Sequence, residues 1–214
     1  MCYGRTEHIK QTYKKNMEVA KGHEFVLVNY GGSPGLDEFV DTIEYDNFKY
    51  INVGAKHFHM SKSRNLSVLL SSGDYVFFLD ADTFIARQTM SSLYECIGQG
   101  KYYGSHYCHD MIYGVSRENF FKVGGFDETF EGYSLDDIDL SSRLRMIGVE
   151  YYKPEFAQAI RHVEHSDEMR LDNYRPGFRM RTTEHNGAKY NYHKDNNIYK
   201  VNLDGFAHQD ILND

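Results

Sequence analysis

The stretch "GDYVFFLDADTF" (Gly73–Phe84) carries an unbroken apolar run, Tyr75 to Leu79, straight into two carboxylates one residue apart, Asp80 and Asp82. A continuous apolar run behind a turn signal reads as a strand covered on both faces, the kind that parallel sheets flanked by helices contain. The residues before it agree. "SKSRNLSVLLSSG" reads as a helix opened by Ser61 and closed by Gly73. Further upstream, "FKYINV" and "HEFVLVNY" read as strands, and Leu36, Phe39, Val40 and Ile43 suggest a short helix between them. "RTEHIKQTYKKNMEVAKG" places Ile9, Tyr13, Met17 and Ala20 at helical spacing and stops at Gly22. Strands alternating with helices imply βα units, so the first half is α/β with a mainly parallel sheet.

Past residue 100 the pattern changes. "YYGSHY" and "MIYGVS" look like short strands, and "SRENFFKVGG" and "DDIDLSSRLRMIG" like helices. In the last of these, Leu140, Leu144 and Ile147 form the expected buried face. From Glu164 onward the chain is polar with little periodicity and reads as loops wrapped over the domain. The expected organisation is one domain: a nucleotide-binding half over 1–100, a second half over 101–170 that holds acceptor and catalytic groups, and an irregular segment over 171–214.

Composition narrows the function classes. A chain of 214 residues that is 41% hydrophobic and 15% aromatic is far too apolar for disorder. A net charge of −7 argues against a broad nucleic-acid-binding surface. Cys2, Cys96 and Cys108 are scattered and odd in number, which speaks against a disulfide framework and for a reducing, cytoplasmic setting. No apolar run reaches the length of a membrane span, and "MCYGRTEHIK" lacks the apolar core of a signal peptide.

In an extended strand Asp80 and Asp82 would project to one side, at the carboxyl end of the sheet where ligands bind. Two adjacent carboxylates repel unless a cation lies near, and hard oxygen ligands suit Mg²⁺ or Mn²⁺ together with substrate phosphates. The alternative reading is a helix cap at a strand-to-helix turn, a common use of Asp. A second acid cluster, Asp136, Asp137 and Asp139 in "FEGYSLDDIDLSSRL", opens a helix. Ser134 with Asp137 matches a capping box, while one of the acids could equally serve as a general base. "RHVEHSDEMR" places His162 and His165 three apart, either as metal ligands or as loop residues, and His57 and His59 in "HFHM" share that ambiguity and read as strand residues.

Taken in order, these pieces resemble the GT-A-fold glycosyltransferases, a Rossmann-like single domain, and among them family 2 enzymes with a galactosyltransferase-like C-terminal motif. "FVLVNYGGSPGLDEFV", "HMSKSRNLSVLLSSGDYVFFLDADTF", "GVSRENFFKVGGFDETFEGYSLDDIDLSSRL" and "HVEHSDEMR" carry the likeness over roughly residues 3 to 170. The resemblance implies a metal-dependent transferase that moves a sugar from a nucleoside diphosphate, UDP first among the candidates, to a hydroxyl of a glycan or other acceptor. Asp80, Asp82 and His165 would hold Mn²⁺ or Mg²⁺. Asn29, Tyr30, Ser33, Arg64, Asn65 and Asp80 would line the nucleotide site. Asp137 would be the base of an inverting reaction, with Asp136 on the acceptor and Gly124 and Gly125 giving close backbone approach; a retaining outcome stays open. The chain departs from the family in having Asp136 where Glu is usual, Asn29 where Asp is frequent, and only Met1 and Cys2 before "YGRTEHIKQT", where a first strand is expected. Two alternatives remain: a nucleotidyltransferase, for which no Gly-rich basic triphosphate loop is present, and an inactive sugar-nucleotide-binding module.

Overall fold

The computed structural model describes residues 4–104, 112–154, 161–164, 166, 174–176 and 182–208. Helix α1 (Thr6–Val19) precedes strand β1 (Phe25–Tyr30), and the short α2 (Leu36–Val40) leads to β2 (Phe48–Val53). β1 and β2 pair in parallel from Phe25 opposite Phe48 to Tyr30 opposite Val53. Helix α3 (Met60–Leu70) follows, then β3 (Tyr75–Phe78), β4 (Thr83–Phe84) and α4 (Arg87–Gly98). The second half contains β5 (Tyr102–Tyr103), β6 (Tyr113–Ser116), α5 (Arg117–Lys122), α6 (Asp136–Met146), β7 (Tyr151–Tyr152), β8 (Arg161–His162) and α7 (Thr182–Asp195).

The sheet is mixed. Parallel pairing holds for β1 with β2 and for β5 with β7, whereas β6 runs antiparallel between β3 and β5. Tyr75 to Phe78 thus face Ser116 to Tyr113 in reverse order. Val76, Phe78, Val115, Phe120, Phe126, Leu140 and Leu144 form the main core around this sheet and join β3 and β6 to α5 and α6. β1 and β3 do not pair with each other among the described residues. An apolar cavity of about 450 Å³ lies between them under α1, touching Val26, Leu27, Val76 and Phe77. The first strand that the resemblance calls for has no counterpart among the described residues.

α1 is more than cover. Its buried Thr12 donates to the Ala81 carbonyl at 2.9 Å, and Asn16 donates to the Thr83 carbonyl and accepts from the Ile85 amide, each at 2.8 Å. Two polar side chains on the inner face of the helix therefore fix the backbone that carries the acid pair. Their burial beside Ile9 is satisfied because each side chain bonds backbone groups.

Three expectations about element ends need correction. α3 is capped by His59, whose Nδ1 accepts from the Lys62 amide at 3.3 Å, so His59 is a cap and not a strand residue. Ser61 lies inside the helix, and Gly73 lies beyond its C-cap, Ser71. α6 has no capping box: Leu135 is its N-cap in the left-handed conformation (φ 68°), and Ser134 directs its hydroxyl to Thr183. Finally, the tail is not wholly irregular, because α7 runs for 14 residues. Its buried residues, Thr182, Asn186 and His193, are all polar, so no apolar period announces it.

Candidate active site

β3 ends at Phe78, and the chain turns through Asp80 and Asp82 before β4 begins. The Thr83 amide donates to the Asp80 carbonyl at 3.1 Å, so the acids sit in a turn and not on a continuing strand. They still act on one another. Burial raises the Asp80 pKa above its ordinary value; the Arg64 charge opposes the shift and the Asp82 carboxylate adds to it.

Arg64 joins the two acid clusters. It lies on α3, nearly inaccessible at 3% exposed, and donates through Nη1 to the Asp136 carboxylate while Nη2 stands 3.8 Å from Asp80. Its guanidinium lies 4.9 Å over the Phe126 ring, and its buried Nε has no hydrogen-bond partner among the described residues. Burial works against the Arg64 charge, but Asp136, Asp80 and Asp137 together hold its pKa above the ordinary value. Burial pushes Asp136 up to about 6, against the pull of Arg64 and with the help of Asp137. Asp137 itself is half-buried in the first turn of α6, and its Oδ1 accepts from the Ile138 amide at 2.9 Å.

The late histidine segment reaches the same place. β8 pairs antiparallel with β4, and the Val163 amide donates to the Asp82 carbonyl at 2.8 Å. His162 Nδ1 is 3.0 Å from Thr83 Oγ1 and 4.0 Å from Asp82 Oδ1. His165 lies outside the described residues. Among the described residues, the donors that suit a hard divalent cation are therefore the Asp80 and Asp82 carboxylates, with the His162 imidazole beside them. Among the described residues no group of three such side chains already converges on one point.

The residues expected to line the nucleotide also bond the protein's own loops. Asn29 is fully buried, its Nδ2 donating to the Tyr50 hydroxyl at 2.9 Å and its Oδ1 accepting from the Ser33 amide at 2.8 Å. Ser33 accepts from the Gly4 amide at 2.8 Å, and the Tyr30 hydroxyl lies 2.9 Å from His208 Nε2. Asn65 donates to the Phe126 carbonyl and to Glu128 and accepts from the Phe126 amide, all within 2.8–2.9 Å. These polar atoms shape the loop after β1 and the loop before α6. Gly124 and Gly125 are also needed by the fold itself: both have positive φ, and a Cβ would fall 2.0 Å from the Val201 carbonyl oxygen and 2.7 Å from Asn65 Oδ1, respectively.

Sequence reasoning missed Tyr174, Asn186, His193 and Asn202. Tyr174 is buried beside Asp136, Arg64 and Asp80, and burial raises its pKa well above the ordinary value. Asn202 donates to the carbonyls of Gly124 and Phe126, both at 2.7 Å, and pins the glycine loop from the tail. His193 Nδ1 lies 2.8 Å from the buried Asp139, which also receives Arg143 Nε at 2.7 Å. The available signal was spacing: Thr182, Asn186 and His193 recur on one helical face, in polar residue types that hydrophobic periodicity does not count.

The family model described as "Glycosyl transferase family 2" matches residues 1–143. No curated protein matches the chain. Residues 1–349 of TarS from S. aureus superpose with a TM-score of 0.58 at 12% identity, covering 80% of this chain and 60% of that one. The same TarS region in complex with UDP-GlcNAc gives 0.54 at 12% identity, over 79% and 61%. A mutant of Drosophila β1,4-galactosyltransferase 7 in complex with manganese, UDP-Gal and xylobiose gives 0.47 at 16% identity, over 67% and 72%. The chain thus spans 60% of the TarS structure that it matches.

Proposed function

Since the chain belongs to glycosyl transferase family 2 and has the GT-A fold, we propose that it moves a sugar from a nucleoside diphosphate to an acceptor hydroxyl, with inversion at the anomeric carbon. The observation that carries the reading is Arg64, which draws Asp80 of the β3–β4 turn and Asp136 of α6 into one buried cluster. A donor site at the first acid pair and a base at the second then lie side by side.

Asp137 acts as the general base. Its carboxylate takes the proton of the acceptor hydroxyl while the oxygen attacks the anomeric carbon and the bond to the diphosphate breaks on the opposite face. Asp136, held by Arg64, orients the acceptor. A divalent cation bound by Asp80 and Asp82, with a histidine of the 162–165 segment, would offset the charge that develops on the leaving diphosphate. Carboxylate and imidazole donors fit Mn²⁺ or Mg²⁺. UDP-GlcNAc, the ligand of the TarS complex, is the first donor to try.

The test is release of UDP from UDP-GlcNAc and UDP-Gal with Mn²⁺, with and without a panel of glycan acceptors, on the native protein and on Asp137→Asn. Native turnover with loss of about a hundredfold or more in the variant, at unchanged donor binding, is expected. Unchanged turnover in the variant overturns the base assignment. NMR of the product then reads the anomer, and retention of configuration overturns the single displacement.

A further inference from the structure

The two residues before α6 have a conformation that L side chains rarely adopt. Ser134 has φ 117° and Leu135 φ 68°, and neither is glycine. Such backbone persists only where its surroundings over-determine it, and it clusters at functional sites. Here the surroundings come from α7. Asn186, at 1% exposed, accepts from the Glu131 amide at 3.2 Å and donates to the carbonyls of Glu131 at 3.0 Å and Ser134 at 2.8 Å. One side chain thus grips the loop before its bend and at the bend itself. Thr182 donates to the Tyr133 carbonyl, a further bond from α7 to the backbone just before the bend.

We infer that Asn186 is a positioning residue: it holds Ser134 and Leu135 in their left-handed bend and so aims Asp136 at Arg64 and Asp137 at the acceptor. The inference rests on the reading of Asp137 as the base. The bend makes the first α6 hydrogen bond possible, from the Asp139 amide to the Leu135 carbonyl at 2.8 Å. If it relaxes, both acids move with it. The docking of α7 is consistent with an aiming role. Its buried residues are polar and directional, and His193 adds a second anchor on Asp139, one turn further along α6.

The experiment compares Asn186→Ala with the double variant Asn186→Ala/Leu135→Gly, in the full chain. Glycine reaches positive φ without strain, so it supplies in the backbone what Asn186 supplies from outside. Hydrogen exchange of the Asp139 and Leu140 amides is read first, because it needs no substrate. At least a tenfold faster exchange in Asn186→Ala, restored toward native in the double variant, is expected. With UDP-GlcNAc or UDP-Gal and Mn²⁺, kcat should fall roughly tenfold to a hundredfold in the single variant and recover in the double, at little change in donor KM. Unchanged exchange in Asn186→Ala, or exchange that stays fast in the double variant, overturns the inference. If Asp137→Asn keeps full turnover, the base reading fails, and the exchange comparison still decides whether Asn186 positions the bend. Should Asn186→Ala not fold, Asn186→Asp, which keeps the acceptor for Glu131 and loses both donors, is compared with its own Leu135→Gly partner in the same way.

Discussion

Arg64 and Asp136, 72 positions apart in the chain, form a buried ion pair that ties α3 to the start of α6. The same guanidinium reaches toward the β3–β4 turn, where Arg64 Nη2 lies 3.8 Å from Asp80. Two charges taken out of water are costly, and their mutual attraction offsets that cost only with good geometry. Arg64 meets the condition in part: Asp136 receives Nη1 and Phe126 lies under the guanidinium, while Nε has no partner among the described residues.

Removal of the cation alone should therefore be severe. Arg64→Ala leaves Asp136 buried without its partner, and a loss of about 3–5 kcal/mol is expected. Lysine should rescue little, since a single ammonium cannot reach two carboxylates in a planar fork and stack on Phe126. Urea melts of Arg64→Ala, Arg64→Lys and the native protein decide this. A loss below about 1 kcal/mol in Arg64→Ala would contradict the buried pair.

At the acid pair, stability and ligand binding should part. The Asp82 carboxylate raises the Asp80 pKa by repulsion, so Asp82→Asn is expected to leave the metal-free melting temperature unchanged or higher. The same variant should lose the shift that UDP with Mn²⁺ produces. A ligand at about a hundred times its Kd adds roughly 2.7 kcal/mol, several degrees in a chain of this size. His162→Ala and His165→Ala, melted in parallel, show which histidine assists. A full shift in Asp82→Asn would remove the carboxylate pair from the metal site.

Much of this was legible in the sequence, and the reasons differ by residue. β3 announced itself because a covered strand is an apolar run, and Asp80 and Asp82 stood out because such a run has no ordinary use for them. Arg64–Asp136 could not be read, since each residue alone looks like a solvated charge on a helix and only the tertiary fold brings them together. The Ser134–Asp137 spacing suggested a capping box, but Asn186 and Thr182 from α7 hold the preceding backbone in another conformation. Asn29 and Asn65 were placed at the nucleotide by the family resemblance alone; that both side chains also bond loop backbone is a tertiary feature with no local signal. α7 stayed hidden because its inner face is polar.

The glycine loop gives a sharp packing prediction. Gly124 has φ +75°, and a Cβ there would lie 2.0 Å from the Val201 carbonyl oxygen, which belongs to backbone and cannot swing aside. Gly124→Ala should cost more than about 3 kcal/mol through backbone strain and overlap together. Gly148→Ala serves as control, because it shares the positive φ (+84°) but meets nothing within 4 Å. Chemical denaturation of both should separate strain from overlap. Equal losses would mean that contact with the tail contributes nothing.

The His59 cap predicts a particular acid sensitivity. Burial, reinforced by Lys62, lowers the His59 pKa from 6.5 to about 4, so the ring is neutral in the fold at ordinary pH. Only a neutral Nδ1 can accept the Lys62 amide. For a base whose folded pKa is depressed, the unfolded chain takes up the proton first. The stabilisation is therefore complete above the unfolded value near 6.5 and fades as pH falls from there toward 4. A cap of this kind contributes about 1 kcal/mol. Asn is also a good cap and does not titrate, so His59→Asn should match the native protein near pH 7.5 and exceed it in melting temperature near pH 5. Because α3 carries Arg64, the same acid range should loosen the Arg64–Asp136 pair in the native protein more than in the variant. Parallel melting curves that keep a constant offset across this range would show that His59 does not titrate with folding.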